Sequence, residues 1–342
     1  LVTVREKSKE EIMAILVCGG AGYIGSHAVA ELLEAGQEVV VVDNLQKGHK
    51  DALWEGSKFY QGDLRDGEFL DKVFTENKID GVIDFAADSL VGESCTEPLK
   101  YYENNLYSTL CLLKKMREHN VKKIVFSSTA AVYGEPEKTP ILETDKTEPK
   151  NPYGETKLAV EKMLKWSEEA YGIQYTVLRY FNVAGAHKSG KIGEDHSPET
   201  HLIPIILQVA VGVREKMAIY GDDYPTADGT CIRDYIHVSD LARAHILALD
   251  RLNKTGESTT YNLGNGNGFS VKEIISAVEK ITEKTLKVEV SERRAGDPAI
   301  LIASSEKALK ELNWKIEFDT IEKIIETAWN WHKNHPNGYG DK

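Results

Sequence analysis

Residues 14–43 read AILVCGGAGYIGSHAVAELLEAGQEVVVVD, and the order of parts in this stretch decides the fold. An apolar run over 14–19 meets glycines at 19, 22 and 25, an amphipathic segment follows from Tyr23 to Ala35, and a second apolar run over 38–43 ends in Asp43. Strand, helix and parallel strand make a βαβ unit. Outward from it the rhythm recurs in GVIDFAA (81–87), KKIVFSS (122–128) and YTVLRYF (175–181), each separated from the next by a helix-length segment. Their apolar character is continuous rather than alternating, as a parallel strand covered on both faces requires. These runs predict an α/β fold built on a doubly wound parallel sheet with helices on each side.

Past residue 182 the rhythm changes, and NVAGAHKSGKIGEDHSPET (182–200) reads as a long irregular loop. Helix patterns return near 201–211, 238–252, 270–283 and 319–334, the third opened by Ser270 and Glu273 at capping-box spacing. The reading is a sheet domain over 13–182 and a smaller, mixed α/β C-terminal part over 183–342, with the chain crossing back into the sheet around 231–265. Residues 1–12 are charged, lack the apolar core of a secretory signal and are expected to form a disordered extension.

Composition narrows the function classes. With 342 residues, 41% of them hydrophobic and 28% charged, the chain reads as a water-soluble globular protein. No apolar run approaches the ~18 residues of a membrane span. A formal charge of −12 and the lack of any Lys/Arg block argue against nucleic acid as a partner. Cys18, Cys95, Cys111 and Cys231 are too scattered for a disulfide framework and suit reduced thiols in a cytoplasmic protein. The histidines show no zinc-binding spacing, so no metal is expected.

The glycine run is the first chemical signal. Gly19 would make the tight turn, Gly22 would let the backbone approach a pyrophosphate, and Gly25 would let the helix pack close to the strand, its N-terminus facing the anion. Tyr23 and Ile24, between the glycines, belong to the same cofactor loop. Asp43, 18 residues after Gly25, is placed to accept hydrogen bonds from an adenosine ribose and to repel a 2′-phosphate, which favours NAD over NADP. The alternative is an ordinary strand-to-helix turn with a capping aspartate. GNGNG (264–268) lacks the strand, helix and acid arrangement and is expected to be a plain loop.

The second signal is NPYGETK (151–157). Tyr153 and Lys157, at i and i+4, share one helix face. A tyrosine hydroxyl titrates at about 10, so it serves as a base near neutrality only where positive charge favours the phenolate. Lys157 and an oxidised nicotinamide can supply that charge. Upstream, FSSTAAVYG (126–134) ends a strand with Ser127, Ser128 and Thr129, hydroxyls at the carboxyl edge where ligands bind in such sheets, and Thr129 is placed to share the substrate proton. A solvated Tyr–Lys pair and capping hydroxyls are the alternative.

With these residues in view, the chain resembles the extended short-chain dehydrogenase/reductase family and, within it, the UDP-glucose 4-epimerase branch. The resemblance runs from about Ala14 to the C-terminus and rests on GGAGYIGSH (19–27), VVDNL (41–45), NPYGETKL (151–158), LRYFNVAGAH (178–187), GEDH (193–196), GDDYPTADGT (221–230), RDYIHVSDLA (233–242), YNLG (261–264) and RRAGDP (293–298). It implies a Rossmann-type sheet, tightly bound NAD, UDP-glucose and UDP-galactose as substrates, and a homodimer formed through helices near 97–118 and 153–171. It assigns the adenine ribose to Asp43 and Asn44, and the adenine to Asp63 and Leu64. Phe85, Ala86, Ala87, Asn104, Ser127, Ser128, Lys157 and Tyr180 fall on the nicotinamide side, and Tyr153 becomes the acid/base at the sugar's 4-hydroxyl. For the UDP moiety it points to Asn182, Arg233, Arg293 or Arg294, Tyr220 near the uracil and Asp297 on the ribose; Thr200, His201 and Leu202 stand where some epimerases place paired asparagines on the diphosphate. Leu301 would line the sugar pocket and favour unacetylated hexoses.

Three positions depart from the family pattern. Asp84 replaces the histidine that many members carry before FAA, Asp88-Ser89 stands where some relatives place a lysine on the cofactor, and ETHL (199–202) replaces the paired asparagines. Thr129 is followed by Ala130 and Ala131, which lack the acid that a 4,6-dehydratase needs to eliminate water. Another UDP-sugar 4-epimerase, a nucleotide-sugar dehydratase and a non-catalytic NAD sensor of the same fold stay open on the sequence alone.

Overall fold

The structure is a computed structural model that describes residues 13–294 and 298–340; the expected extension over 1–12 and Asp297 lie outside the described residues. Strands β1 (Ala14–Cys18), β2 (Glu38–Asp43) and β3 (Lys58–Gln61) alternate with helices α1 (Tyr23–Glu34) and α2 (Gly67–Glu76), and β4 (Ile79–Asp84) follows. Short helices α3 (Val91–Thr96) and α4 (Pro98–Tyr101) lead through a π-helical turn over Tyr102–Tyr107 into α5 (Ser108–Glu118). Next come β5 (Lys123–Thr129), α6 (Pro152–Tyr171), β6 (Gln174–Tyr180) and β7 (Asn182–Ala184). The remainder comprises α7 (Leu202–Val211), β8 (Met217–Tyr220), β9 (Ile232–His237), α8 (Val238–Thr255), β10 (Thr259–Leu263), β11 (Gly268–Ser270), α9 (Val271–Thr282), β12 (Val288–Ser291), β13 (Ile300–Leu301), α10 (Glu306–Glu311) and α11 (Ile321–Asn334).

Seven strands form one parallel sheet in the order β3-β2-β1-β4-β5-β6-β10. Successive side chains of a strand point to opposite faces, so the continuous apolar runs feed two cores. On one face Leu16, Val40 and Val42 meet Leu70 of α2, Leu112 and Met116 of α5, and Val160 and Leu164 of α6. On the other, Val17, Val39 and Val41 meet Leu32 of α1 and Leu241 and Leu249 of α8. A third core joins α7, α9 and α11 through Ile206, Ile274 and Ile324.

The chain steps from β1 outward to β2 and β3, then returns to β4 on the other side of β1. That reversal opens a crevice at the carboxyl ends of β1 and β4, where open α/β sheets bind ligands. Within 231–265 it is β10 that joins the large sheet, while β9 pairs with β7, β11 and β13 in a small sheet. The capping box at the start of α9 is formed reciprocally by Ser270 and Glu273. Residues 264–267 of GNGNG form a loop pinned by the buried carboxylate of Asp234, which accepts the amides of Asn265 at 2.7 Å and Gly266 at 3.1 Å, whereas Gly268, expected in the same loop, opens β11 and pairs with β9. Among the described residues no helix is long and apolar enough to cross a membrane.

Candidate active site

The crevice is shaped by glycine. Gly19 has a positive φ of 73°, and a Cβ there would meet the Ala86 nitrogen at 2.8 Å; a Cβ on Gly25 would stand 2.1 Å from the Gly19 carbonyl oxygen. The loop, α1 and the segment after β4 can therefore close on one another only without side chains at these points. Gly22 caps α1 with no side-chain acceptor, and the first turn carries no carboxylate, so the positive end of the helix dipole faces the cleft uncompensated. The side chains of Tyr23 and Ile24 turn away from it: the Tyr23 hydroxyl donates to the Gly185 carbonyl at 2.7 Å, and Ile24 packs into the core under α1.

A cleft of about 630 Å³, partly open to solvent, runs from these glycines along the ends of β2 and β4. Among its walls are Gly19, Gly22, Asp43, Asn44, Asp63, Leu64, Phe85, Ala86, Ala87 and Asn104. The sequence reading passed over Gln46, Lys47 and Ser108, which line it too. Lys47 is the more consequential omission, a cation in a negatively charged chain; its place two residues after VVDNL was the available signal. Asp43 also braces the loop itself, accepting the amides of Ala21 at 3.0 Å and Leu45 at 2.8 Å. Burial pushes its carboxyl up, and those amides and His49 oppose the rise. Asn44 donates to Asp63 at 3.0 Å, and Arg65, 2.7 Å away, holds the Asp63 carboxyl well below the usual carboxylate range.

Tyr153 and Lys157 stand on the first two turns of α6. Pro152 occupies the opening of the helix, and the Asn151 side chain caps it by accepting the Gly154 amide at 2.8 Å, so the local sequence fixes where the helix begins. Both functional side chains are buried, at 8% and 4% exposure. Lys157 Nζ donates to the Ser127 carbonyl at 2.8 Å and lies 4.8 Å from the Phe126 ring centroid. Burial pushes its ammonium down to about 8, opposed by the carboxylates of Asp84 and Glu161. Burial pushes the Tyr153 phenol up, and the Thr129 hydroxyl opposes. The ammonium is directed at the Ser127 carbonyl and the nearby carboxylates, leaving Thr129 as the group that acts on the phenol.

Asp84 ends β4 fully buried. It accepts the Ala86 amide at 3.1 Å and the Thr109 hydroxyl at 3.2 Å, which fixes the course of Phe85–Ala87. Burial pushes its carboxyl up to about 6, against the charge of Lys157. Asp88 bonds through its backbone to the Asn105 side chain, and its carboxylate accepts from Asn104 at 3.1 Å.

The hydroxyls of Ser127 and Ser128 point inward. Ser128 donates to Glu161 at 2.5 Å, and Glu161 forms a two-pronged pair with Arg179. Ser127 bonds to His245 Nε2 at 2.9 Å. His245 was not read as functional; its other nitrogen lies 2.9 Å from the Leu241 carbonyl, so Nδ1 carries the proton and Nε2 accepts from Ser127. Its ring lies 4.6 Å from that of Phe85 and 6.1 Å from that of Tyr180, a support beneath the inner end of the cleft.

Burial pushes His245 down to about 4. Below pH ~6.5 the unfolded chain gains a proton there that the folded chain refuses, so this contribution to stability is full above the unfolded value and is lost as pH falls towards about 4. The expected result is that His245→Gln regains about 2 kcal/mol relative to the unsubstituted protein between pH 7 and pH 5. Denaturant titrations at the two pH values check this, and a difference independent of pH would contradict it.

The remaining predicted residues lie on or beside the small sheet, beside the β8–β12 ribbon and at the start of α7. Leu301 of β13 pairs directly with Arg233 of β9, and Asn182 of β7 pairs with Tyr235 of the same strand. Leu301 packs against the cluster of Ala130, Tyr133, Leu158 and Phe181, which places it beside the turn after Thr129. On the β8–β12 ribbon the Arg294 guanidinium lies 4.0 Å from the Tyr220 ring centroid, whereas Arg293 is paired to Asp223 and lies over Tyr224. Thr200 and Leu202 lie at the start of α7, and His201 there turns Nδ1 onto two carboxylates, Glu194 and Glu199. With His196 these form a Glu/His cluster, spaced 194, 196, 199 and 201, that the sequence reading did not single out.

Comparison with known proteins gives a consistent set of relatives. The description "NAD dependent epimerase/dehydratase family" matches residues 15–264. A Halalkalibacterium halodurans protein named UDP-glucose 4-epimerase is 63% identical over 327 residues, 96% of this chain and 98% of its own length. A crystal structure of a UDP-glucose 4-epimerase superposes with a TM-score of 0.94 at 61% identity, covering 95% of this chain and 99% of that one. The UDP-glucose 4-epimerase from Bifidobacterium longum, solved in complex with NAD+ and UDP, superposes with a TM-score of 0.91 at 45% identity, covering 96% of this chain and 100% of that one.

Proposed function

The chain belongs to the NAD dependent epimerase/dehydratase family, and on that premise we propose that it interconverts UDP-glucose and UDP-galactose by reversible inversion at carbon 4. The observation that carries this reading is the joint burial of Tyr153, Lys157 and Thr129 at the carboxyl edge of β5, next to a cleft whose glycines leave no room for a Cβ.

The cleft fits NAD. The space that a Cβ at Gly19 or Gly25 would fill lets the backbone come close, the N-terminus of α1 suits a pyrophosphate, and Asp43 with Asn44 suits a ribose without a 2′-phosphate. When bound, the cofactor would supply the hydride acceptor and donor that inversion at carbon 4 needs. Tyr153 takes the proton of the 4-hydroxyl and restores it after the 4-keto sugar has turned over. Thr129, whose hydroxyl opposes the upward shift of the phenol, is placed to share that proton. Lys157, held by the Ser127 carbonyl, would supply a fixed positive charge that favours the phenolate.

The nucleotide half of the substrate is assigned to Asn182, Arg233 and Arg294, with the Tyr220 ring beside the uracil. Guanidinium forks suit a diphosphate because they donate paired, charge-assisted bonds. Leu301 walls the sugar side and favours unacetylated hexoses. Inversion rather than dehydration follows from Ala130 and Ala131 after Thr129, which offer no acid for eliminating water.

Two copies are proposed to pair through α4, the π-helical turn and α6, where Leu99, Tyr102, Tyr107 and Trp166 stand exposed. Sedimentation of the full chain is expected to read a dimer, and a monomer contradicts the pairing. The free thiols of Cys18, Cys95 and Cys111 suit the cytoplasm.

The test is incubation of purified protein with UDP-galactose and no added NAD. UDP-glucose is the expected product. A 4-keto-6-deoxy product would point instead to a dehydratase, and bound cofactor without any sugar conversion to a sensor.

A further inference from the structure

The loop that leads into α7 carries a second constellation, separate from Tyr153. Glu194, His196, Glu199 and His201 each present one ligand-type atom, and these four atoms lie within 4.8 Å of one another. His201 Nδ1 is 3.0 Å from carboxylate oxygens of both Glu194 and Glu199, and His196 Nδ1 is 3.2 Å from Glu194 and 3.7 Å from Glu199. With metal–ligand bonds of about 2.0–2.2 Å, neighbouring ligands of a tetrahedral ion stand roughly 3.3–3.6 Å apart. The four histidine–glutamate edges bracket that spacing.

Two further observations point to a ligand. His196 Nδ1 is buried and, although close to Glu194, makes no hydrogen bond of acceptable geometry. The two carboxylates are themselves buried, each with a side chain only 4% exposed. Glu199 is held in place because one of its oxygens accepts the amides of Thr200 at 2.7 Å and His201 at 2.8 Å, and the other is turned towards His196.

We propose that Glu194, His196, Glu199 and His201 bind a single divalent transition-metal ion of the zinc class. Two imidazole nitrogens and two carboxylate oxygens, all within 4.8 Å of one another, suit zinc, while the site offers too few oxygens for calcium and too much nitrogen for magnesium. The ion balances both buried carboxylates and clips the loop to the start of α7. It also steadies the glycine loop indirectly: the Tyr23 ring meets the His196 ring edge-on at 6.1 Å, and the Tyr23 hydroxyl holds Gly185. On this assignment His201 is a metal ligand rather than a diphosphate ligand. The competing occupant is a pair of protons, since two imidazolium rings would neutralise the same carboxylates.

The test uses the full chain stripped with a chelator, exposed to equimolar Zn²⁺, gel-filtered and assayed for metal, alongside a Co²⁺-loaded sample read by visible absorption. About one ion per chain and the strong visible bands of four-coordinate cobalt are expected. His196→Gln and Glu199→Gln are each expected to weaken Zn²⁺ affinity by at least ~10–100-fold and to lose the cobalt bands. Protein that leaves the column without metal, or variants that retain metal and spectrum undiminished, would overturn the assignment. Should a variant fail to fold, the metal content and cobalt spectrum of the unsubstituted chain still decide it.

Discussion

Replacing Tyr153 by Phe is expected to lower turnover of UDP-galactose by about 10²–10⁴-fold, the usual range for removing a positioned acid/base. The substitution keeps the ring, which is buried and meets Tyr101 edge-on at 6.5 Å, so packing persists and only the phenolic oxygen is lost. The Thr129 hydroxyl oxygen accepts the Ala131 amide at 3.1 Å whether or not the phenol is present, so it is not stranded. Nicotinamide content is therefore expected to match that of the unsubstituted protein. A rate assay together with the absorbance of cofactor released on denaturation reads both quantities. Undiminished turnover would remove Tyr153 from proton transfer, whereas lost turnover accompanied by lost cofactor would indicate damage to the cleft instead.

Gly25→Ala is expected to strain the glycine loop, weakening both the fold and the cofactor cleft. The added methyl would sit 2.1 Å from the Gly19 carbonyl oxygen and 2.9 Å from the Gly20 Cα. Both neighbours are backbone, so α1 must shift away from the loop. Overpacking of this kind costs about 1–3 kcal/mol, which corresponds to roughly 5–150-fold in cofactor affinity if the loss falls on the bound state. Gly22→Ala is the matched control for the fold, because its methyl meets only the Gly19 oxygen, at 3.3 Å. Thermal unfolding of the cofactor-free proteins should show Gly25→Ala destabilised and Gly22→Ala nearly unchanged. Equal behaviour of the two variants would mean that helix and loop are not in the close contact described.

The fold was most legible where burial is two-sided. Runs such as EVVVVD and KKIVFSS declare central strands because helices cover both faces, whereas β3 (KFYQ) at the sheet edge has only partly covered side chains and no continuous apolar run. β10 at the other edge, TTYNL, begins with two half-covered threonines and is equally quiet. The glycine loop and the Tyr153–Lys157 pair were legible because their spacing is local to one turn or one helix. What local spacing cannot show is where a polar atom points. Ser127 and Ser128 sit at the carboxyl edge of β5, yet their hydroxyls are engaged by His245 and Glu161, residues 118 and 33 positions away. Asp234, which beside Arg233 could have been half of a surface pair, is fully buried and organises the 264–267 loop. The direction of the Tyr153 shift was also beyond the sequence, since it depends on burial and on the turn of the Lys157 ammonium towards Ser127.

The most direct test of the whole account follows the hydrogen on carbon 4. UDP-galactose deuterated at that carbon, incubated with the protein in ordinary water without added NAD, is predicted to yield UDP-glucose that keeps its deuterium at carbon 4. Protium at carbon 4 of the product would mean that the hydrogen leaves as a proton or exchanges outside the site, and would contradict inversion by a captive cofactor with Tyr153 handling only the hydroxyl proton.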